Sequence, residues 1–301
     1  MPIADVNVMF LKSVFELFFK VNFTLKGEYK SIATHDIDYP FITKNVNLKA
    51  LLKNTLGDVL MRKSILLALK RLYSYVTGDK RFDPANNIEW IINSNQNKVS
   101  HSIFFYIAIS RQGGLDTLCD ISDEDEKKQI KSVLDANEEI GLHPSYLTSE
   151  NYEYFKEEKS KLDNILKSIG SKEISSSRQH YLRFDIRTHY RNIEELDISH
   201  EYSLGFTDYC GFRSGTCRPY FPFDVLNRSK HKFTVHPLLI MDTTLLKYLK
   251  TSKKEILNIH SNFSKTVKNY KGEFIYLWHN TELMTSRGKK LYKEILKVIN
   301  H

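Results

Sequence analysis

The chain has 301 residues, with 44 Lys and Arg against 36 Asp and Glu, a formal net charge of +8 and 41% hydrophobic residues; this is enough for one large α/β domain, which is expected here over two small ones. Lysines account for most of the positive charge and lie scattered along the whole length, with no arginine stripe interleaved with aromatics, so nucleic-acid binding is excluded, while an acidic polymer or a membrane surface stays open as a neighbour. Three cysteines, Cys119, Cys210 and Cys217, are odd in number and lack CxxC spacing, which argues against a zinc knuckle and a disulfide framework and points to a reducing compartment.

Residues 8–23 are apolar and aromatic, but Lys12, Glu16 and Lys20 recur every four positions, giving an amphipathic helix too short and too charged to span a bilayer. No small-residue cleavage site follows, so residues 1–30 are expected as a helical extension packed on the domain, with peripheral membrane contact as the alternative; cytoplasmic placement follows from the missing export signal. The domain then runs over 31–301. A strand leads into Thr34-His35-Asp36-Ile37-Asp38-Tyr39-Pro40, where Pro40 stops the ladder and alternation puts Asp36 and Asp38 on one face and His35 on the other. Two like charges on the lip of a sheet are costly without a cation, an arginine or a shared proton; the alternative reading is an Asx-type turn leaving the strand.

Leucines and isoleucines at helical spacing predict a helix over 48–75, and Asp83-Pro84 is expected to start the next, through Ile88 and Ile92. The continuous apolar run from His101 to Ile109 has the pattern of a strand covered on both faces, which implies parallel pairing. An acidic start at 122–126 opens a helix that ends before the short apolar run Glu139-Ile-Gly-Leu-His143. Helices over 149–169, 186–196, 252–270 and from Ser286 alternate with strands into Arg178 and His180, around 202–205 and 233–241, and at 274–278. Such alternation means βαβ crossovers and a mainly parallel sheet, either doubly wound or a barrel. Asp36, Asp38, His143, His180 and His279 all fall at C-terminal ends of predicted strands, where barrel enzymes collect their chemistry, so a distorted (β/α) barrel is expected. Asp and His ligands on rigid strand ends with an open position describe a divalent-metal site, and a mixed N/O set suits Zn²⁺. Such an ion acidifies a water and polarises a carbonyl, a free carboxylate can take the water proton, and a histidine opposite can protonate the leaving group.

In order and spacing, Thr34-His-Asp-Ile-Asp-Tyr-Pro40, Glu139-Ile-Gly-Leu-His-Pro-Ser145, Ser177-Arg-Gln-His-Tyr-Leu-Arg183, the segment from Leu204 to Cys217 and Leu277-Trp-His-Asn280 resemble the polysaccharide deacetylases of carbohydrate esterase family 4, particularly a divergent bacterial branch associated with surface polysaccharides. The resemblance implies a distorted barrel and metal-assisted removal of N- or O-acetyl groups from a sugar or polysaccharide intermediate. It makes Asp36 the general base, Asp38 and His143 metal ligands, Arg178 the arginine that orients the base and His279 the general acid. Two departures stand out. Ile37 separates aspartates that are adjacent in the family, so the roles of Asp36 and Asp38 can be exchanged, and Leu147 stands where the second ligand histidine would fall. His180 is the replacement expected for it, because one Asp and one His would hold Zn²⁺ poorly.

Arg213, in a Gly-rich loop, is either a substrate-binding residue or an ordinary surface charge or ion pair, and Trp278 either stacks on a sugar face or sits in the core. The aromatics Tyr209, Phe212, Tyr220, Phe221 and Phe223 form either a sugar-binding rim or packing under a long loop. The rivals to a deacetylase are a degenerate barrel that binds polysaccharide or a pathway partner without turnover, and a glycosidase. The last is disfavoured because carboxylates two apart on one strand cannot flank a sugar from opposite sides.

Overall fold

In the computed structural model, which describes residues 1–112, 115–116 and 120–300, eight strands join through parallel pairings into one curled sheet, the distorted (β/α) barrel expected from the alternating pattern. These are β1 (Lys30–Ile37), β2 (His101–Tyr106), β3 (Glu139–Leu142), β4 (Ser176–Ser177), β5 (His200–Glu201), β8 (Thr234–Val235), β9 (Ile240–Met241) and β10 (Glu273–Leu277), in the order β8-β5-β4-β3-β2-β1-β10-β9. A separate hairpin, β6 (Phe223–Asp224) with β7 (Ser229–Lys230), lies in the long connection before β8. The sheet's two edge strands are neighbours in the chain, and residues 236–239 cross the gap between them. There Leu238 N donates to Leu204 O and Leu239 N to Ile275 O, each at 3.0 Å.

Alternation along each strand divides the core in two. Ile32, Ile103, Phe105, Ile275 and Leu277 point into the barrel together with Tyr202 and Leu238. Ala33, Phe104, Tyr106, Tyr276 and Trp278 point outward against the helices, as expected for parallel strands covered on both faces.

The helical layer departs from the sequence reading at three points. The helix expected over 48–75 is two, α2 (Leu48–Leu60) and α3 (Ile65–Thr77). Lys63 adopts the left-handed conformation at φ 51°, and Ser64 caps the new helix by accepting from Leu67 N, a local signal that outweighs the continuous apolar spacing. Asp83 starts no helix; its carboxylate accepts from Ile42 N, Thr43 N and Oγ1, and Ala85 N, holding the chain that leaves β1, and α4 (Ile88–Asn95) begins five residues later. Among the described residues, the N-terminal α1 (Ile3–Phe19) is hydrogen-bonded to the domain at its first turn alone, by Ala4 N to Gly215 O and by the Asp5 carboxylate accepting from Thr216 Oγ1 and Cys217 N. Beyond that turn it is not packed on the domain as expected: Phe10, Leu17 and Phe18 are more than half exposed. Among the described residues no helix is long and apolar enough to cross a membrane. Cys210 and Cys217 are free thiols, whereas Cys119 lies outside the described residues.

Candidate active site

The strand β1 runs buried from Ser31 to its end at Ile37, three residues before Pro40, so the carboxylates of Asp36 and Asp38 stand at its C-terminal rim. Asp36 is almost fully buried, and its Oδ1 accepts from Arg178 Nη1 at 3.0 Å. Arg178, just past β4, has no exposed surface; it also donates to Thr34 Oγ1 at 2.8 Å and to Tyr202 O at 3.2 Å, with its guanidinium 4.6 Å from the Phe105 ring centroid. A buried cation with this many partners fixes the carboxylate's orientation from beneath.

His143 follows β3. Its Nδ1 lies 2.5 Å from the Arg178 carbonyl, a bond that fixes the tautomer with Nδ1–H donating. Its Nε2 then faces Asp38 Oδ1 at 3.4 Å and Asp36 Oδ2 at 3.5 Å. His180, three residues past β4, is oriented in the same way by Asp116: their Nδ1 and Oδ1 are 3.2 Å apart, and Nε2 points to Asp38 Oδ1 at 3.7 Å. The Asp116 carboxylate is itself pinned by the backbone N–H groups of Arg111, Gln112 and Tyr146. Burial would raise its pKa, but the His180 contact and those donors lower it to about 2.

On the other side of β1, His279 follows β10. Its Nδ1 bonds Asp242 Oδ1 and its backbone N–H donates to Asp242 Oδ2, both at 2.7 Å, while Nε2 stands 3.8 Å from Asp38 Oδ2. Burial alone would depress this imidazole; the Asp242 carboxylate, followed by Asp38 and Asp36, raises its pKa to about 10. Burial likewise opposes ionisation of Asp38, and His143, His279 and His180 overcome it and hold the carboxyl well below the usual range. These groups line a cleft of about 350 Å³ whose rim includes Tyr181, Thr207 and Tyr248. Tyr181 and Leu182 hold left-handed backbone conformations at φ 60° and 52°, strain placed directly beside His180.

Donor atoms of Asp38, His143 and His180 all lie within 4.8 Å of one another. Asp38 Oδ1 and His143 Nε2 are buried and, among the described residues, have no hydrogen-bond partner. Two orphaned acceptors facing each other, with a third ring nitrogen adjacent, are costly as they stand and fit a shared cation. The mixed O/N donor set, with Asp116 and the Arg178 carbonyl holding the far ring nitrogens, has the composition and outer support of a divalent-metal site.

The sequence-derived candidates Asp36, Asp38, Arg178, His143, His180 and His279 thus come together. Two others do not. Trp278 has no exposed surface and packs outward against His260 and Tyr292, because β10 alternation points Leu277 and His279 into the cleft and Trp278 away from it. Arg213 is exposed, donates to Gly205 O at 2.7 Å and is absent from the cleft lining; it braces its own loop. Asp242 and Asp116 went unrecognised in the sequence. Asp242 directly follows the apolar strand β9, a strand-end carboxylate of the same kind as Asp36, and that position was its available signal. Asp116 has no such mark.

No protein-family model and no curated protein sequence matches the chain. Among solved structures, a provisionally assigned polysaccharide deacetylase from Mycobacterium smegmatis superposes with a TM-score of 0.58 at 11% identity, over 92% of this chain and 85% of that one. A mutant of a carbohydrate esterase family 4 pseudoenzyme matches at TM-score 0.44 and 8% identity, over 92% of this chain and 67% of that one. A family 4 carbohydrate esterase from Streptomyces lividans in complex with acetate matches at 0.41 and 10%, over 70% and 80%. The first of these superpositions gives the chain the polysaccharide deacetylase fold.

Proposed function

We propose that this protein is a metal-dependent hydrolase that removes an N- or O-acetyl group from a sugar in bacterial surface-polysaccharide metabolism. The observation that carries the reading is the convergence of Asp38, His143 and His180 around two unpartnered buried acceptors. These three residues would hold a divalent ion, for which Zn²⁺ suits the donors, and the ion would supply an acidified water and a polarised acyl carbonyl.

The remaining steps belong to the chain's own groups. Asp36 accepts the proton of the attacking water at Oδ2, since Arg178 occupies Oδ1 and prevents the carboxylate from turning. His279 carries a proton on Nε2 and delivers it to the departing nitrogen or oxygen, while Asp242 holds Nδ1 and keeps the ring facing the cleft. Arg178 is a positioning residue, buried under Asp36 and out of reach of substrate.

Acetate release from acetylated oligosaccharides tests this. Activity is expected to vanish with chelator and return with added Zn²⁺, and Asp36→Asn or His279→Ala is expected to lower the rate about 10²- to 10⁴-fold. A rate that none of these changes would overturn the assignment.

A further inference from the structure

We propose that the hairpin α2–α3 docks on the surface of an anionic lipid bilayer. Leu52, Leu56 and Leu60 recur at four-residue spacing on α2, and Ile65, Leu69 and Tyr73 do the same on α3. All six are at least half exposed, and Met61 at the tip between the helices is 84% exposed. An apolar stripe of this extent is too large to be left in water without an occupant.

Charge decides which occupant fits. Lys49, Lys53, Lys63 and Lys70 are exposed and none takes part in an ion pair among the described residues. The only acidic residue between Leu48 and Thr77 is Asp58, buried and bonded to Arg71 and Arg62. The face is therefore apolar and cationic with no exposed carboxylate, the composition that lies in a headgroup layer with apolar side chains sunk into the acyl boundary and lysines on anionic lipid. A second copy of the same face would bring lysine against lysine. The helix α1 also exposes phenylalanines, but its Lys12 is paired with Glu16 at 2.7 Å, so it lacks the uncompensated charge. A groove of about 450 Å³ beside the hairpin is lined by Asn54, Arg62 and Arg71 and shares Tyr39, Lys247 and Thr281 with the active-site cleft, so the hairpin stands next to the cleft entrance, its apolar stripe on a different face from the groove.

Flotation of the full chain with vesicles of phosphatidylcholine, with and without phosphatidylglycerol, reads this without reference to catalysis. Binding is expected only to the anionic vesicles and is expected to weaken with salt. Lys49→Gln with Lys53→Gln should weaken partitioning by about fivefold per lysine, on the order of 25-fold for the pair. Leu56→Glu with Leu69→Glu should abolish it; both positions are exposed, and unchanged circular dichroism would show that the fold survives. Phe18→Glu in α1 should leave binding intact. Absent flotation, equal binding to neutral vesicles, loss with Phe18→Glu alone, or a solution dimer that the leucine substitutions split would each overturn the proposal.

Discussion

Replacing Asp242 by asparagine should destabilise the protein in a pH-dependent way, most at mildly acidic pH and least in alkali. In the folded chain burial works against the His279 imidazolium, yet the Asp242 carboxylate and then Asp38 and Asp36 carry its pKa from 6.5 to about 10. At ~1.36 kcal/mol per pH unit, that gap corresponds to about 5 kcal/mol of preference for the charged ring in the folded state. Because the folded protein binds this proton more tightly than the unfolded chain does, the contribution is complete below pH 6.5 and disappears as pH rises through about 10. Asp242 is the first of the groups that raise the pKa, so Asp242→Asn is expected to remove the larger part of this contribution at about pH 6 and almost none above about pH 10.5. The amide nitrogen that must face either His279 N–H group adds a constant cost of about 1 kcal/mol. Urea unfolding of both proteins in chelator, repeated across that pH range, measures the difference. A gap in unfolding free energy that stays constant with pH would refute the reasoning.

Arg178→Met should destabilise the fold by about 3 to 5 kcal/mol by leaving the buried Asp36 without its cationic partner, and Asp36→Leu added to it should recover most of the loss, a non-additivity that denaturant melts would reveal. Asp116→Asn should weaken Zn²⁺ binding about 10- to 100-fold by calorimetric titration, since it loosens the bond that aims His180. Zn²⁺ at about 100 times its dissociation constant should stabilise the protein by about 2.7 kcal/mol in thermal unfolding, an effect that Asp38→Asn should remove. Gly141→Ala would place a Cβ 2.5 Å from the Phe105 ring that supports Arg178; a loss of about 1 to 3 kcal/mol is expected in chemical denaturation.

What the sequence disclosed follows from which interactions are local. The run from Tyr29 to Pro40 states its own strand, faces and terminus, so the orientations of Asp36, Asp38 and His35 could be read directly. His35 does turn outward, to the Trp278 carbonyl and Asn95. The same alternation rule applied to β10 places His279 with Leu277 and excludes Trp278 from the cleft; composition suggested a sugar platform there, but the strand geometry overrides it. Strands β4, β5, β8 and β9 are two residues long, too short for any hydrophobic period, so the sequence reading put β5 too late, around 202–205, and ran β8 and β9 together as one strand over 233–241. The break between α2 and α3 is written in one capping serine inside an otherwise unbroken apolar pattern. Asp116 reaches His180 from 64 positions away and Asp242 reaches His279 from 37; pairings of that kind are made by the sheet's closure and leave no spacing in the sequence.

The sheet order assigns the two halves of the site to different sides of one strand. Asp38 follows β1, with His143 and His180 in the segments that leave β3 and β4, while His279 and Asp242 follow β10 and β9 at the opposite flank. Substitutions along the β9–β10 flank can therefore retune proton delivery to the departing group while the cation-holding trio keeps its grip. Only the short stretch leaving β1 is answerable to both, and it tolerates the least change.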